Sequence, residues 1–91
     1  MRFRSTIRYW KPERTGGLAV ADIPAELVGT LGGLKQQRVR GTINGAGYHS
    51  NVMPAGGGRL ALSVSKGMLS AGGAAVGDEA EFELELVPPA S

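Results

Sequence analysis

Phe3, Ser5, Ile7 and Tyr9 alternate with Arg2, Arg4, Thr6 and Arg8. A period of two predicts a half-buried strand at the start of the chain. Its outer face is basic, which suits an exposed sheet edge. Residues 11–17 (KPERTGG) read as a loop and Leu18 to Ala21 as a short strand. The segment Asp22 to Leu27 predicts a helix start, because Pro24 lacks the N–H that the first helical turn leaves unpaired anyway. Gly32-Gly33 should stop this helix after about two turns.

Residues 37–43 (QRVRGTI) predict the next strand, with Val39 and Ile43 on one face and Arg38, Arg40 and Thr42 on the other. Asn44-Gly45 follows at once, a dipeptide that takes positive φ readily and signals a two-residue hairpin. The return strand, residues 47–52, puts Tyr48, Ser50 and Val52 on one face and His49, Asn51 and Met53 on the other. Residues 54–58 (PAGGG) are expected to end it. Leu60, Leu62 and Val64 then alternate with Arg59, Ala61 and Ser63. A short helix over about residues 66–71 stops at Gly72-Gly73. Gly77-Asp78 turns the chain into Ala80, Phe82, Leu84 and Leu86 set against Glu79, Glu81, Glu83 and Glu85, and Pro88-Pro89 terminates that strand. Asp78 reads as a turn or cap residue. About six short strands and two short helices are too few for a sandwich. A mainly β fold, a small closed or partly closed barrel, buries them best.

Composition narrows the chemistry. The 91 residues, 15 of them glycine, suit one small domain rich in turns. With no cysteine and one histidine, a disulfide or thiol nucleophile is excluded and a conventional zinc site is not expected. No apolar run reaches the ~20 residues a membrane helix needs, and the arginine-bearing start has no apolar signal core. A cytoplasmic, soluble protein without metal or cofactor is the expectation. The net charge of +2 is unevenly spread: all ten Lys and Arg lie in residues 1–66, whereas residues 67–91 hold Asp78, Glu79, Glu81, Glu83 and Glu85 and no base. Such asymmetry marks either a nucleic-acid face or basic and acidic strands lying side by side, and the second reading is preferred.

A faint internal repeat accompanies the pattern. Shifted by 41 residues, GGLAVADIPAELVGTLGG lies over GGRLALSVSKGMLSAGGA, giving units 16–43 and 57–84 of strand, short helix, glycine stop and strand. In this register Arg38 and Arg40 fall opposite Glu79 and Glu81, so cross-strand charge pairing about a pseudo-two-fold is expected.

VADIPAEL followed by RVRGTINGAGYHSNVMPAGGGRLALSVSKGMLSAGGAAVGDEAEFELEL resembles the bacterial family called domain of unknown function 1905 (DUF1905). The shared pattern is an apolar-x-x-Pro segment, a Gly-Thr-Ile-Asn-Gly turn, a proline-glycine loop, an apolar-x-Val-x-Lys strand end, and Gly-Asp before the last strand. The resemblance runs over about residues 3–87. It implies a double-split, pseudo-two-fold β-barrel capped by short helices, distantly like the AbrB/MazE-type domains in shape. Those relatives are dimeric DNA binders that supply half a barrel per chain, whereas here one chain would carry both halves. Some members of the family are fused to a domain associated with bacteriocin protection. The resemblance implies no catalytic or binding residues.

Gly45-x-Gly47-x-x-Ser50 starts like a dinucleotide fingerprint but lacks the βαβ frame that motif requires. Ser63-x-x-Lys66 has the spacing of acyl-serine enzymes without their further motifs. His49 has no orienting carboxylate in sequence, and adjacent Ser50 points to the opposite strand face. It is therefore an outward strand histidine, or a ligand contact with Asn51 or Arg59. Residues 56–59 (GGGR) are a mobile loop or a backbone cradle for an anion. Trp10 is either buried or free to stack on a ring. No nucleophile, base and oxyanion donor coincide, so no catalytic residue is assigned and no enzyme is expected.

The leading expectation is a non-catalytic binding module for a small organic or peptide ligand. Trp10, Asn44, His49, Asn51 and Arg59 are its candidate contacts, where the residue 44–50 hairpin and the 54–59 loop meet a barrel end. One alternative is nucleic-acid binding through Arg2, Arg4, Arg8, Lys11, Arg14, Arg38 and Arg40. Another is a structural partner of a second protein, with the chain itself a monomer or homodimer.

Overall fold

The alternating segments become six strands. In the computed structural model, which describes residues 1–11, 13 and 17–88, these are β1 (Arg2–Tyr9), β2 (Ala19–Asp22), β3 (Gln37–Ile43), β4 (Ala46–Gly56), β5 (Arg59–Val64) and β6 (Glu79–Leu86). Helix α1 (Ala25–Val28) follows β2, and α2 (Lys66–Gly72) follows β5. All neighbours pair antiparallel and close a barrel in the order β1-β2-β5-β4-β3-β6. β1 is therefore not an exposed edge. It pairs with both β2 and β6, and closure leaves its basic face to be matched by side chains of the neighbouring strand.

The ring is symmetric under exchange of β1 with β4, β2 with β5 and β3 with β6. Ala21 pairs with Leu62 and Thr42 pairs with Glu83. Each pair joins residues 41 positions apart, so the pseudo-two-fold passes through both pairs. β1 and β4 obey a different offset: Phe3 opposite Phe82 corresponds to Tyr48 opposite Gly41, a shift of 45 on this strand and 41 on its partner. The long β1–β2 connection absorbs the four-residue difference. That is why the sequence repeat is visible from β2 and β5 onward and lost in the strands before them.

The inward alternation builds one core, in which Ile7, Ala21, Leu31, Ile43, Val52, Leu60, Leu62 and Phe82 are fully buried. Phe3 and Phe82 stack with ring centres 5.3 Å apart. Helix α2 is capped at both ends: Met68 N donates to Ser65 Oγ at 3.2 Å, and Gly73 closes the helix at φ 61°. It seats Met68 in the core. Helix α1 is shorter than the two turns expected. Its Pro24 cap makes no side-chain bond, and after Val28 the backbone passes into turns that place Leu31 in the core. The Asn44-Gly45 hairpin forms as predicted, with both residues at positive φ (48° and 86°) and Ile43 opposite Ala46. β4 does not stop at Pro54. It continues to Gly56, with an irregular register between the two because proline offers no ladder N–H. Gly57-Gly58, at φ 60° and 75°, then makes a second two-residue turn into Arg59.

Candidate functional site

The outward faces of β1, β6 and β3 carry most of the charge. Arg2 donates to Glu83 and approaches Glu81 at 3.9 Å. Arg4 lies 3.5 Å from Glu81 and 3.7 Å from Glu79. Across β6, Arg40 Nε donates to Glu85 at 2.5 Å, and Thr42 Oγ1 donates to Glu83 at 3.1 Å. The hydrogen bonds from Arg2 and Thr42 hold the Glu83 carboxyl below its ordinary range. On the adjoining wall Arg8 grips Asp22 with two bonds of 2.8 and 2.9 Å, and this hydrogen bonding lowers the Asp22 carboxyl likewise. The charge asymmetry along the chain is thus brought together inside one molecule.

The pairing differs from the repeat-based expectation. Arg40 meets Glu85 rather than Glu81, and Glu79 and Glu81 face β1. A two-fold between antiparallel strands sends equivalent residues away from the axis in opposite directions, so Arg40 and its equivalent Glu81 cannot stand side by side. Of the cations in the nucleic-acid reading, Arg2, Arg4, Arg8 and Arg40 have carboxylate partners. Lys11 and Arg38 are exposed, without a carboxylate partner among the described residues. Arg14 lies outside the described residues.

The five ligand candidates do not converge. The Asn44-Gly45 and Gly57-Gly58 turns lie at opposite ends of β4, roughly 30 Å apart at the rise of an extended strand, so the two loops cannot share one barrel end. Trp10 directly follows β1 and Arg59 begins β5. Both strands run antiparallel to β2, which puts those residues at opposite ends as well. Trp10 flanks a shallow hollow with Lys11, Gly17 and Leu18. Arg59 lies close enough to Asp22 to help lower its carboxyl. The Asn44 amide is engaged at both ends: Nδ2 donates to Gly72 O at 2.9 Å, and Oδ1 accepts from Glu81 N at 3.0 Å. It ties the hairpin to α2 and β6.

His49 and Asn51 do stay together on the outer face of β4. Asn51 stands opposite Arg38 and His49 opposite Arg40. With Val87, whose N–H donates to Arg38 O at 3.0 Å, they line a hollow of 310 Å³ in the barrel wall. Ser50 also borders this hollow, but its hydroxyl donates to Ser63 O at 2.6 Å and makes no hydrogen bond to His49. A larger hollow of 490 Å³ lies over β6, but the charges around it, Arg2, Arg40, Glu83 and Glu85, are already matched to each other. Sequence reasoning placed Arg38 among the nucleic-acid contacts and opposite Glu79 in the repeat-based charge pairing, not among the ligand contacts. The signal that joins it to His49 was present, because a two-residue Asn44-Gly45 turn fixes residue 38 opposite residue 51.

The profile of the family described as domain of unknown function (DUF1905) matches residues 3–84. The chain belongs to that family. No curated protein matches it. In this DUF1905 barrel the Gly45–Ser50 stretch is a hairpin and strand rather than a phosphate loop, and Lys66 opens α2. Among the described residues no three His, Asp or Glu side chains cluster as a metal would require. Among the same residues no helix is long and apolar enough to cross a membrane.

Proposed function

We propose that this DUF1905 domain is a cytoplasmic, non-catalytic binding module whose ligand, a small organic molecule or a peptide segment, sits in the hollow on the outer wall of β3 and β4. The observation that carries the reading is the convergence of Arg38, His49 and Asn51 around one recess beside the apolar Val87. A few oriented polar groups around a partly apolar hollow is the usual make-up of a small-ligand site. Binding rather than catalysis fits the histidine's surroundings, since the residue directly opposite it is Arg40 and the Ser50 hydroxyl donates to Ser63 O instead. The nucleic-acid alternative loses support from the internal pairing of Arg2, Arg4, Arg8 and Arg40. The partner-protein alternative would favour a contiguous apolar patch, whereas Met1, Leu18 and Leu34 are exposed on three separate segments. One chain closes the ring, so no second copy is needed to complete the barrel.

The test is an amide chemical-shift screen of isotope-labelled protein against mixed small acids, amines, neutral aromatics and short peptides. Perturbations clustered at Arg38, His49, Asn51 and Val87 are expected. A screen in which no compound moves that cluster overturns the reading. A duplex or single strand that shifts β1 amides, with an affinity falling steeply as salt rises, favours nucleic acid instead.

A further inference from the structure

The two halves of the barrel treat one position differently. In the first half Arg4 on β1 reaches diagonally to Glu79 on β6, 3.7 Å away, and directly to Glu81. The pseudo-two-fold carries β1 onto β4 and β6 onto β3. Arg4 then corresponds to His49, Glu79 to Arg38, Glu81 to Arg40 and Thr6 to Asn51. The first half therefore presents a completed cation–carboxylate cluster. The same place in the second half presents Arg38, Arg40, His49 and Asn51 with no acidic residue on either strand. Arg40 draws its carboxylate from Glu85 on β6. Arg38 has no such neighbour among the described residues, because the β6 chain opposite it is the uncharged Val87.

From this asymmetry we infer that the ligand of the β3–β4 hollow, on the binding reading above, presents a carboxylate, with Arg38 as its charge partner and Asn51 and His49 beside it as hydrogen-bonding groups. An arginine fork matches a carboxylate with two parallel bonds, and the amide and imidazole supply further donors. The carboxylate belongs either to a small organic acid or to the C-terminus of a peptide. Both present the same group, and the hollow's 310 Å³ admits a ring or a short side chain beside Val87.

The experiment compares matched probes on the intact chain by the same amide shifts. Benzoate is set against benzamide, and an acetylated dipeptide with a free C-terminus against its C-terminal amide. The charged member of at least one pair should bind roughly tenfold more tightly, the scale expected of one charge-assisted contact. Whichever pair shows this identifies the source. The preference should vanish in Arg38→Ala and survive in Arg59→Gln. His49→Glu provides a second, independent variant: it puts a carboxylate at the position equivalent to Arg4, where it would pair with Arg38 from within, and should also remove the preference. Unchanged melting temperatures establish that these exposed substitutions leave the barrel folded. Equal affinity within both probe pairs, a preference that survives Arg38→Ala, or shifts spread over Arg2, Arg4 and Lys11 instead of the hollow each overturn the inference. Should neutral compounds alone move the cluster, the binding module stands and its carboxylate specificity falls.

Discussion

Tyr48 on β4 stands opposite Gly41 on β3, and its hydroxyl passes beyond that strand to donate to the carbonyl of Glu83 on β6 at 2.9 Å. Its pseudo-symmetric counterpart is the stacked pair of Phe3 and Phe82. One half of the barrel fills this layer with two rings. The other uses a single ring against bare backbone, because β3 and β6 approach too closely at Gly41 for a side chain.

Gly41→Ala tests that approach. An added Cβ would lie 1.8 Å from Glu83 O and 2.6 Å from Glu83 C, which are backbone atoms that cannot rotate away. The two strands must separate, at a cost of about 3 kcal/mol or more, a large part of the stability of a small domain. Gly47→Ala on the neighbouring strand meets only one atom, at 3.9 Å, and should be tolerated. Urea denaturation of the two variants measures the contrast.

Burial pushes the Tyr48 phenol well above its ordinary value of 10.0. A raised folded value means that the native state favours the neutral hydroxyl. Its contribution is fully present below about pH 10 and is lost as pH rises toward the folded value. Alkaline denaturation should therefore begin above pH 10 with ionisation of this phenol. Tyr48→Phe should flatten the alkaline fall in stability while losing about 1 kcal/mol near neutrality through the missing hydrogen bond. Circular dichroism melts across alkaline pH check both effects.

Asp22 and Glu83 give the acid limb. Both carboxyls are held below their ordinary values of 3.8 and 4.5, by Arg8 and by Arg2 with Thr42 respectively. A depressed folded value means that stability is present above the unfolded value and is lost as pH falls through the folded one. The melting temperature should stay flat from neutrality down to about pH 5 and decline below it. Asp22→Asn should be less stable than the parent at pH 7 and lose less on acidification. A parallel decline in parent and variant would count against this assignment.

Asn44 combines a backbone and a side-chain role. Asn44→Gly keeps the positive φ that the turn requires but removes the bonds to Gly72 O and Glu81 N. A loss of about 1–2 kcal/mol is expected, the net worth of two exposed hydrogen bonds. Asn44→Ala loses the same bonds and adds backbone strain, so it should fall below the glycine variant. Thermal melts that rank alanine above glycine would contradict the turn geometry.

Charge reversal probes the β1–β6 wall. Glu81→Lys sets a third cation against Arg2 and Arg4 and should lower the melting temperature. Adding Arg4→Glu should restore part of the loss. The coupling is expected to stay below about 1 kcal/mol, as for exposed pairs generally, and to shrink with added salt.

Strand positions, inward faces and the Asn44-Gly45 turn trace to local chemistry: alternation in Glu79–Leu86, positive φ at Asn44-Gly45 and the glycine stop of α2 at Gly73. These are dictated within a few residues, so the sequence by itself determined them, and the hairpin even determined that Arg38 faces Asn51. Long-range closure was not local. Whether β1 is an edge or an interior strand depends on β6, some 80 positions away, arriving antiparallel beside it. Which acid meets Arg40 depends on where the two-fold passes. The candidate site divided along the same line. His49 and Asn51 share a face by strand period alone, whereas Asn44, Trp10 and Arg59 are separated by the direction in which the ring runs. Only the tertiary structure decided that Arg2, Arg4, Arg8 and Arg40 are neutralised within the molecule while Arg38 meets no carboxylate among the described residues, because charge pairing depends on register between strands and no single strand encodes it.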